Sequence, residues 1–551
     1  MLTRLRRGPT RAIGAVAVLA TLTIGCQSAD RGPVQEAATG GVLRVGVTGD
    51  LGRLESLNPM ATNLFGSWLA RQMIYPSLVQ LDGAEVKPAW AESWTASADG
   101  RVYTFKLRQG AWSDGKPLTS DDALWTAETV LEHADGAAGL VASALDGVKS
   151  VAAPDPRTFV VTYADPLPPA ALSSLAYFSV LPQHVWSSHT GNGGKDLMTF
   201  HPEDKLPLVA GGPFTVTEFD PNGTTIFEPN KGYYGQRPKV DAVGLEVFEN
   251  AEGLARALKS GDTLAWGYTD GPAIAKSVEG SKGVAVQRTP SQAVAMLNIN
   301  SNPKKKEHPE LRNVKVREAM SLAIDRKELI EVELNGFGQP GRSLLVPAQD
   351  AWIPGTITAD AFDPARANAI LDELGYKRGA DGIRVAEDGS RMEYSLVVWE
   401  IGRVAEILQK NLKAVGIALK PEITEEYTAT VAAPDGKYLD FDLAFSYWRY
   451  LEPDPNLSLR IYRCDAWGSS NFAGYCDKKY DELYAKQRVT LDEAERGKII
   501  AQMQQMVLRD TRATLPLYHP DGVHIVSAKW TGIEPQRYGA DLWTQARRNE
   551  G

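Results

Sequence analysis

Histidine and cysteine are scarce in this chain, seven and three among 551 residues. The histidines are scattered, and no two stand four apart on what could be one helix face, so the His-Glu-x-x-His pattern of a zinc hydrolase is missing. No Gly-x-Ser-x-Gly elbow or phosphate-binding loop occurs either, and Gly191-Asn192-Gly193-Gly194 reads only as a flexible turn. Positive charge is also in short supply. With 59 Lys and Arg against 68 Asp and Glu the formal charge is −9, which argues against the basic, aromatic-laced surface that nucleic acid requires. Adjacent acids such as Asp121-Asp122 are explained as helix-start residues favoured by the dipole. These absences leave no catalytic constellation: the chain is expected not to be an enzyme, and to need neither metal nor cofactor.

Long apolar runs are missing too, except at the start. Arg4, Arg6, Arg7 and Arg11 precede an uncharged, mostly apolar run from Ala12 to Ile24, shorter than the roughly 18 to 20 residues of a membrane-spanning helix. That pattern predicts a signal peptide over residues 1–25, and Gly8-Pro9 after Arg6-Arg7 favours the general secretory route over the twin-arginine one. Leu22-Thr23-Ile24-Gly25-Cys26 resembles a bacterial lipobox, with Thr23 where leucine is usual, which implies lipidation at Cys26. Residues 26–40, small and polar, would be the tether of a protein held on the outer face of the cell membrane. Setting aside the four leader arginines leaves the exported part at −13. Cys464 and Cys476 then remain as an even pair in an oxidising compartment, and a disulfide is expected. A metal site is the competing use, but no histidine lies near and no Cys-x-x-Cys is present.

What remains is long and apolar enough, at 43% hydrophobic, for two to four lobes. Val42 to Val47 alternates as a first strand. Pro88-Ala89-Trp90-Ala91-Glu92-Ser93-Trp94 leads through an Asp99-Gly100 turn to Tyr103–Arg108. A second turn follows at Asp114-Gly115, and then a helix begins at a Thr119/Ser120 cap. Further on, Phe441 to Phe445 reads as a buried strand that runs into Tyr447-Trp448-Arg449-Tyr450 and stops at Glu452-Pro453-Asp454-Pro455. Aromatic faces, a guanidinium and two carboxylates on one loop suit a small polar ligand. Ordinary core packing accounts for the same residue types equally well.

The string from Pro88 to Asp122 closely resembles the signature of the family 5 extracellular solute-binding proteins, the peptide and nickel receptors of ABC importers. Gly211-Gly212-Pro213-Phe214 with Asn230-Lys231-Gly232-Tyr233-Tyr234 resembles a second family segment. Asn313–Ala319 with Ala323-Ile324-Asp325-Arg326, Asp363–Tyr376, Phe472–Leu483 and Leu515–Tyr518 follow in the family's order. The resemblance spans Val42 to about Gly532. It implies an α/β, two-lobed periplasmic-binding-protein type II fold of the large, cluster C kind. The first lobe would comprise 41–286 and about 519–551, with a subdomain inserted at about 64–180, and the second lobe 287–518.

The resemblance also implies a function: capture of short peptides in a cleft between the lobes and delivery to an importer's permease and ATPase, by a monomer. A sugar, a nickel chelate or another small solute is the alternative within the fold, and a signalling or cell-envelope lipoprotein the alternative outside transport. Ligand contacts are implied for Tyr447, Trp448, Arg449, Tyr427, Asn63 and Phe65. The family's peptide receptors place an aspartate three residues after the equivalent of Trp448, to pair with the peptide's ammonium group. Pro455 keeps its place here, but that position is Leu451. A buried ammonium left without a partner costs several kcal/mol, so either Glu452 takes over or the ligand lacks a free N-terminus. The bland reading is an Arg449–Glu452 ion pair.

Overall fold

The strands that build the molecule change character where the chain crosses from one sheet to another. A computed structural model describes residues 41–551 apart from 49–52, 63–64, 262, 266–270, 400–401, 425, 433–438, 451, 535–536, 539–542 and 550–551. Cys26, Asn63 and Leu451 therefore lie outside the described residues. The described residues form one compact unit.

Three sheets carry the architecture. In chain order their strands are β1 (Val42–Thr48), β2 (Ala91–Ala96), β3 (Val102–Leu107), β4 (Val148–Asp155), β5 (Thr158–Tyr163), β6 (Phe214–Glu218), β7 (Thr224–Pro229), β8 (Ala242–Phe248) and β9 (Thr263–Ala265). They continue as β10 (Val284–Thr289), β11 (Ala293–Ile299), β12 (Gly338–Pro340), β13 (Glu393–Val398), β14 (Ala418–Ile423), β15 (Leu443–Arg449), β16 (Thr514–Pro520) and β17 (Gly522–Ser527). A seven-stranded sheet has the order β6-β7-β8-β1-β9-β17-β10, and a six-stranded sheet β12-β16-β11-β15-β13-β14. The four-stranded sheet β2-β3-β5-β4 comes from residues between the first two strands of the larger sheet.

Two short links join the large sheets. Between β10 and β11 the chain passes from one sheet to the other in three residues, and between β16 and β17 in one, Asp521. Arg288 braces this double crossing, with one amino group 3.1 Å from the Asp521 carboxylate and its guanidinium 4.2 Å above the Phe337 ring. Beyond the crossing, every residue of β11 is buried. Ala295, Leu297 and Ile299 enter one core cluster, and Val294 and Met296 enter another on the opposite face. That is the period-two alternation of a strand covered on both sides.

The sequence signatures resolve into local physical chemistry. Gly100 and Gly115 hold the left-handed turns, at φ +67° and +89°. Asp122 accepts a bond from the Thr119 amide at 3.0 Å, from the Gln183 amide at 3.1 Å and from the Trp112 indole at 3.2 Å. It therefore starts the helix Ser120–Glu132 and ties it to the hairpin. The Gly211-Gly212 pair lets the chain press on the end of helix α1 (Phe65–Ile74), both amides donating to the Ile74 carbonyl. A Cβ on Gly212 would stand 2.3 Å from the Met73 carbonyl oxygen. Asn230 seals the same corner by donating to the Ala210 and Gly212 carbonyls at 3.1 and 2.9 Å. Gly212→Ala is therefore expected to cost about 2 kcal/mol, the usual scale for overpacking. An unchanged urea midpoint would show that this corner can yield.

Candidate ligand-binding cleft

β15 is buried over its first four residues and opens at Tyr447, Trp448 and Arg449. Register explains the position of this opening. Arg449 pairs with Ala293, Trp448 with Val294 and Tyr447 with Ala295, so the strand emerges beside the crossing between the two sheets. Its parallel neighbour β13 ends at the same edge. Carboxyl edges of strands are where α/β sheets place their ligands. Tyr447 is 38% exposed, yet burial pushes its phenol up, with the Arg449 guanidinium pulling the other way through a hydrogen bond. Part of the ring meets solvent while the phenol is crowded by protein, as at the rim of a recess.

Aromatic rings line this edge. Trp448 stacks on Phe472 with centroids 5.5 Å apart, and lies nearly parallel to Tyr450 at 6.5 Å. Tyr427 meets Phe472 edge-on at 6.0 Å and donates its hydroxyl to the Phe445 carbonyl at 2.6 Å. Trp399 completes the row, 5.4 Å from Tyr427 and 4.9 Å from Phe445. The structure thus joins Tyr427 and Trp448 through Phe472, and pairs Tyr447 with Arg449 on the other face of the same strand end. Phe65 is described only by its backbone, as the first residue of α1. Trp399 has no role in the sequence reading. Its signal was its place directly after an apolar strand, legible as an edge position only once β13 is known to run parallel to β15.

The loop that follows is pinned from three sides. Gln349 donates to the carbonyls of Glu452 and Asp454 at 2.9 and 3.1 Å, and the Trp352 indole donates to that of Pro453 at 3.1 Å. Arg496 grips the Asp454 carboxylate with both amino groups, at 2.6 and 3.1 Å. Gln487 accepts three further bonds from Arg496, one at its backbone carbonyl and two at its side-chain oxygen, and the guanidinium lies 4.9 Å from the Trp352 ring. Each of these partners is remote in sequence, Arg496 standing 42 residues from Asp454, and no local pattern announces it.

Glu452 sits half-buried on this rigid loop. Burial, and then the neighbouring Asp454 charge, push its carboxyl up to about 7. An arginine partner would move it the other way, so the Arg449–Glu452 ion pair is not what governs this carboxylate. Beyond it, Cys464 and Cys476 are joined, S–S 2.09 Å and Cα–Cα 4.5 Å. Elsewhere the larger charge clusters are structural. Lys305, 4% exposed, lies 3.1 Å from Asp442, which in turn accepts from the Ser395 amide at 2.8 Å. Among the described residues no group of three or more His, Cys, Asp or Glu is arranged to hold a metal, and no helix is long and apolar enough to cross a membrane.

Two α/β sheets linked by a double crossing, with an aromatic and acidic edge at the link, define a two-lobed solute-binding protein of the type II periplasmic-binding fold. The chain belongs to the bacterial extracellular solute-binding proteins, family 5, whose middle region matches residues 85–470. Among its relatives, Protein XP55 of Streptomyces lividans is 28% identical over 463 residues, covering 83% of this chain and 80% of that one. A probable di/tripeptide-binding protein of Pseudomonas aeruginosa is 24% identical, over 84% of this chain and 87% of its own. The periplasmic binding protein DppA of Helicobacter pylori, solved with the peptide STSA, superposes with a TM-score of 0.72 over 93% of this chain and 99% of its own. At 23% identity that likeness shows the fold.

Proposed function

We propose that this chain is the substrate-binding lipoprotein of an ABC importer, that it captures short peptides between its lobes, and that Glu452 receives the peptide's ammonium group. The lobes divide at the double crossing, 41–286 with 519–551 against 287–518, and the insertion covers about 64–180. Cys26 carries the lipid anchor. The chain performs no chemistry on its ligand and works as a monomer. The names of the relatives support the peptide class. The observation that carries the reading is Glu452 itself, a half-buried carboxyl on a loop whose backbone is pinned beside the recess, and whose charge is disfavoured until a cation arrives.

The sign of the pH dependence follows. A carboxyl raised to about 7 is largely protonated at pH 5.5, and an incoming ammonium favours its ionised form, so binding releases a proton. Affinity for trialanine is expected to rise from pH 5 to 7, below the range where the peptide's own amine titrates. Glu452→Gln is expected to weaken binding about tenfold at pH 7, the scale of a hydrogen bond to a charged group, and to flatten the pH profile. N-acetylated trialanine should bind wild type poorly. Titration calorimetry reads all three, and equal affinity of wild type and Glu452→Gln at pH 7 would remove Glu452 from this role. Cys26→Ser is expected to move the protein from the membrane fraction to the soluble one.

A further inference from the structure

Among the described residues three aromatic rings are prominently exposed, and two of them stand on the recess edge: Trp399, 39% exposed, and Tyr447, 38%. They flank one residue. Trp399 leans on Phe445 at 4.9 Å with a 43° tilt, and Tyr447 follows Phe445 by two positions on the same strand, hence on the same face. Tyr427 stands edge-on behind the indole at 75°, and its hydroxyl is bonded to the Phe445 carbonyl. Trp399 is therefore held in place while a large part of its ring remains open.

An exposed indole on a convex surface would need no explanation. This one sits at the carboxyl end of β13, parallel to β15 through Leu396–Leu443 and Val397–Ala444, at the edge where the chain crosses between sheets. Its neighbour Tyr427 is packed against it and bonded to the strand behind it, so the ring is backed by protein on one side and open on the other. We infer that Trp399, backed by buried Phe445 and beside Tyr447, is a specificity-determining shelf that stacks an aromatic side chain of the bound peptide and so selects among peptides that Glu452 anchors alike. The inference rests on the peptide reading above. Offset or edge-on ring contacts add to the area they bury, so the selection is expressed as a difference between ligands that share a backbone.

The test compares trialanine with Phe-Ala-Ala, Ala-Phe-Ala and Ala-Ala-Phe by calorimetry, on wild type, Trp399→Ala and Trp399→Phe. Wild type is expected to prefer at least one phenylalanine peptide to trialanine by about tenfold. Trp399→Ala is expected to reduce that preference to within about threefold by weakening the preferred phenylalanine peptide more than trialanine, and Trp399→Phe to retain part of it. Wild-type tryptophan emission should shift with the preferred peptide more than with trialanine. The inference is overturned if Trp399→Ala keeps the full preference, if it weakens all four peptides equally, or if wild type shows no preference. Failure of wild type to bind any of the four overturns the peptide reading itself, and the shelf with it. Unchanged thermal unfolding of Trp399→Phe guards against a folding defect being read as lost selection.

Discussion

Replacing Arg496 with methionine is expected to cost about 3 to 5 kcal/mol of stability, because it strands a charge. The side chains of Asp454 and Arg496 are 2% and 1% exposed, and the grip between them is bidentate. Without the guanidinium, Asp454 keeps one bond from the Asn456 amide at 2.9 Å and has no cation against it. The damage would reach the recess. A stranded Asp454 is a stronger repulsive neighbour for Glu452, so the Glu452 carboxyl is expected to rise further and peptide affinity at pH 7 to fall along with stability. Urea unfolding and calorimetry measure the two separately. Arg496→Met combined with Asp454→Asn is expected to recover much of the loss, since removing both partners leaves no buried charge. An unchanged urea midpoint in the single variant would mean that the pair does not support the loop.

Opening the Cys464–Cys476 bond is expected to cost about 3 kcal/mol, the entropy regained by an unfolded chain no longer closed over a short loop. The bridge spans 12 residues, and the segment it closes is tied internally. Asn471 donates to the Arg463 and Tyr475 carbonyls at 3.0 and 2.7 Å, and the Trp467 indole donates to Tyr475 at 2.8 Å. That segment also presents Phe472, the ring on which Trp448 stacks. Cys464→Ser with Cys476→Ser should therefore lower the urea midpoint and also loosen the ligand wall, weakening trialanine binding several-fold. If the midpoint falls but affinity holds, the internal bonds are enough to keep Phe472 in place. If neither moves, the bridge is dispensable.

Much of the fold was legible because it is written in local chemistry. The glycines at 100 and 115 need left-handed backbone, Asp122 satisfies an amide one turn away, and Asn230 satisfies carbonyls across one hairpin. The family signature is largely a record of such requirements. Part of the cleft was legible for the same reason, since a buried run opening at Tyr447 already reads as a strand reaching an edge. Trp399, Gln349, Trp352 and Arg496 were not legible. Each acts on the site through strand register or through a contact more than 40 residues away, and the sequence contains no sign of which segments meet.

The sequence by itself determined the class of protein, the turns and caps that shape it, and the aromatic and charged inventory of the end of β15 and the loop that follows it. Only the tertiary structure decided how those charges are shared. On paper Arg449 stands nearest Glu452, but the fold brings Arg496 to Asp454 and leaves Glu452 half-buried beside that acid, raised to about 7. Charge state depends on burial and on distances through space, which neighbourhood along the chain does not specify.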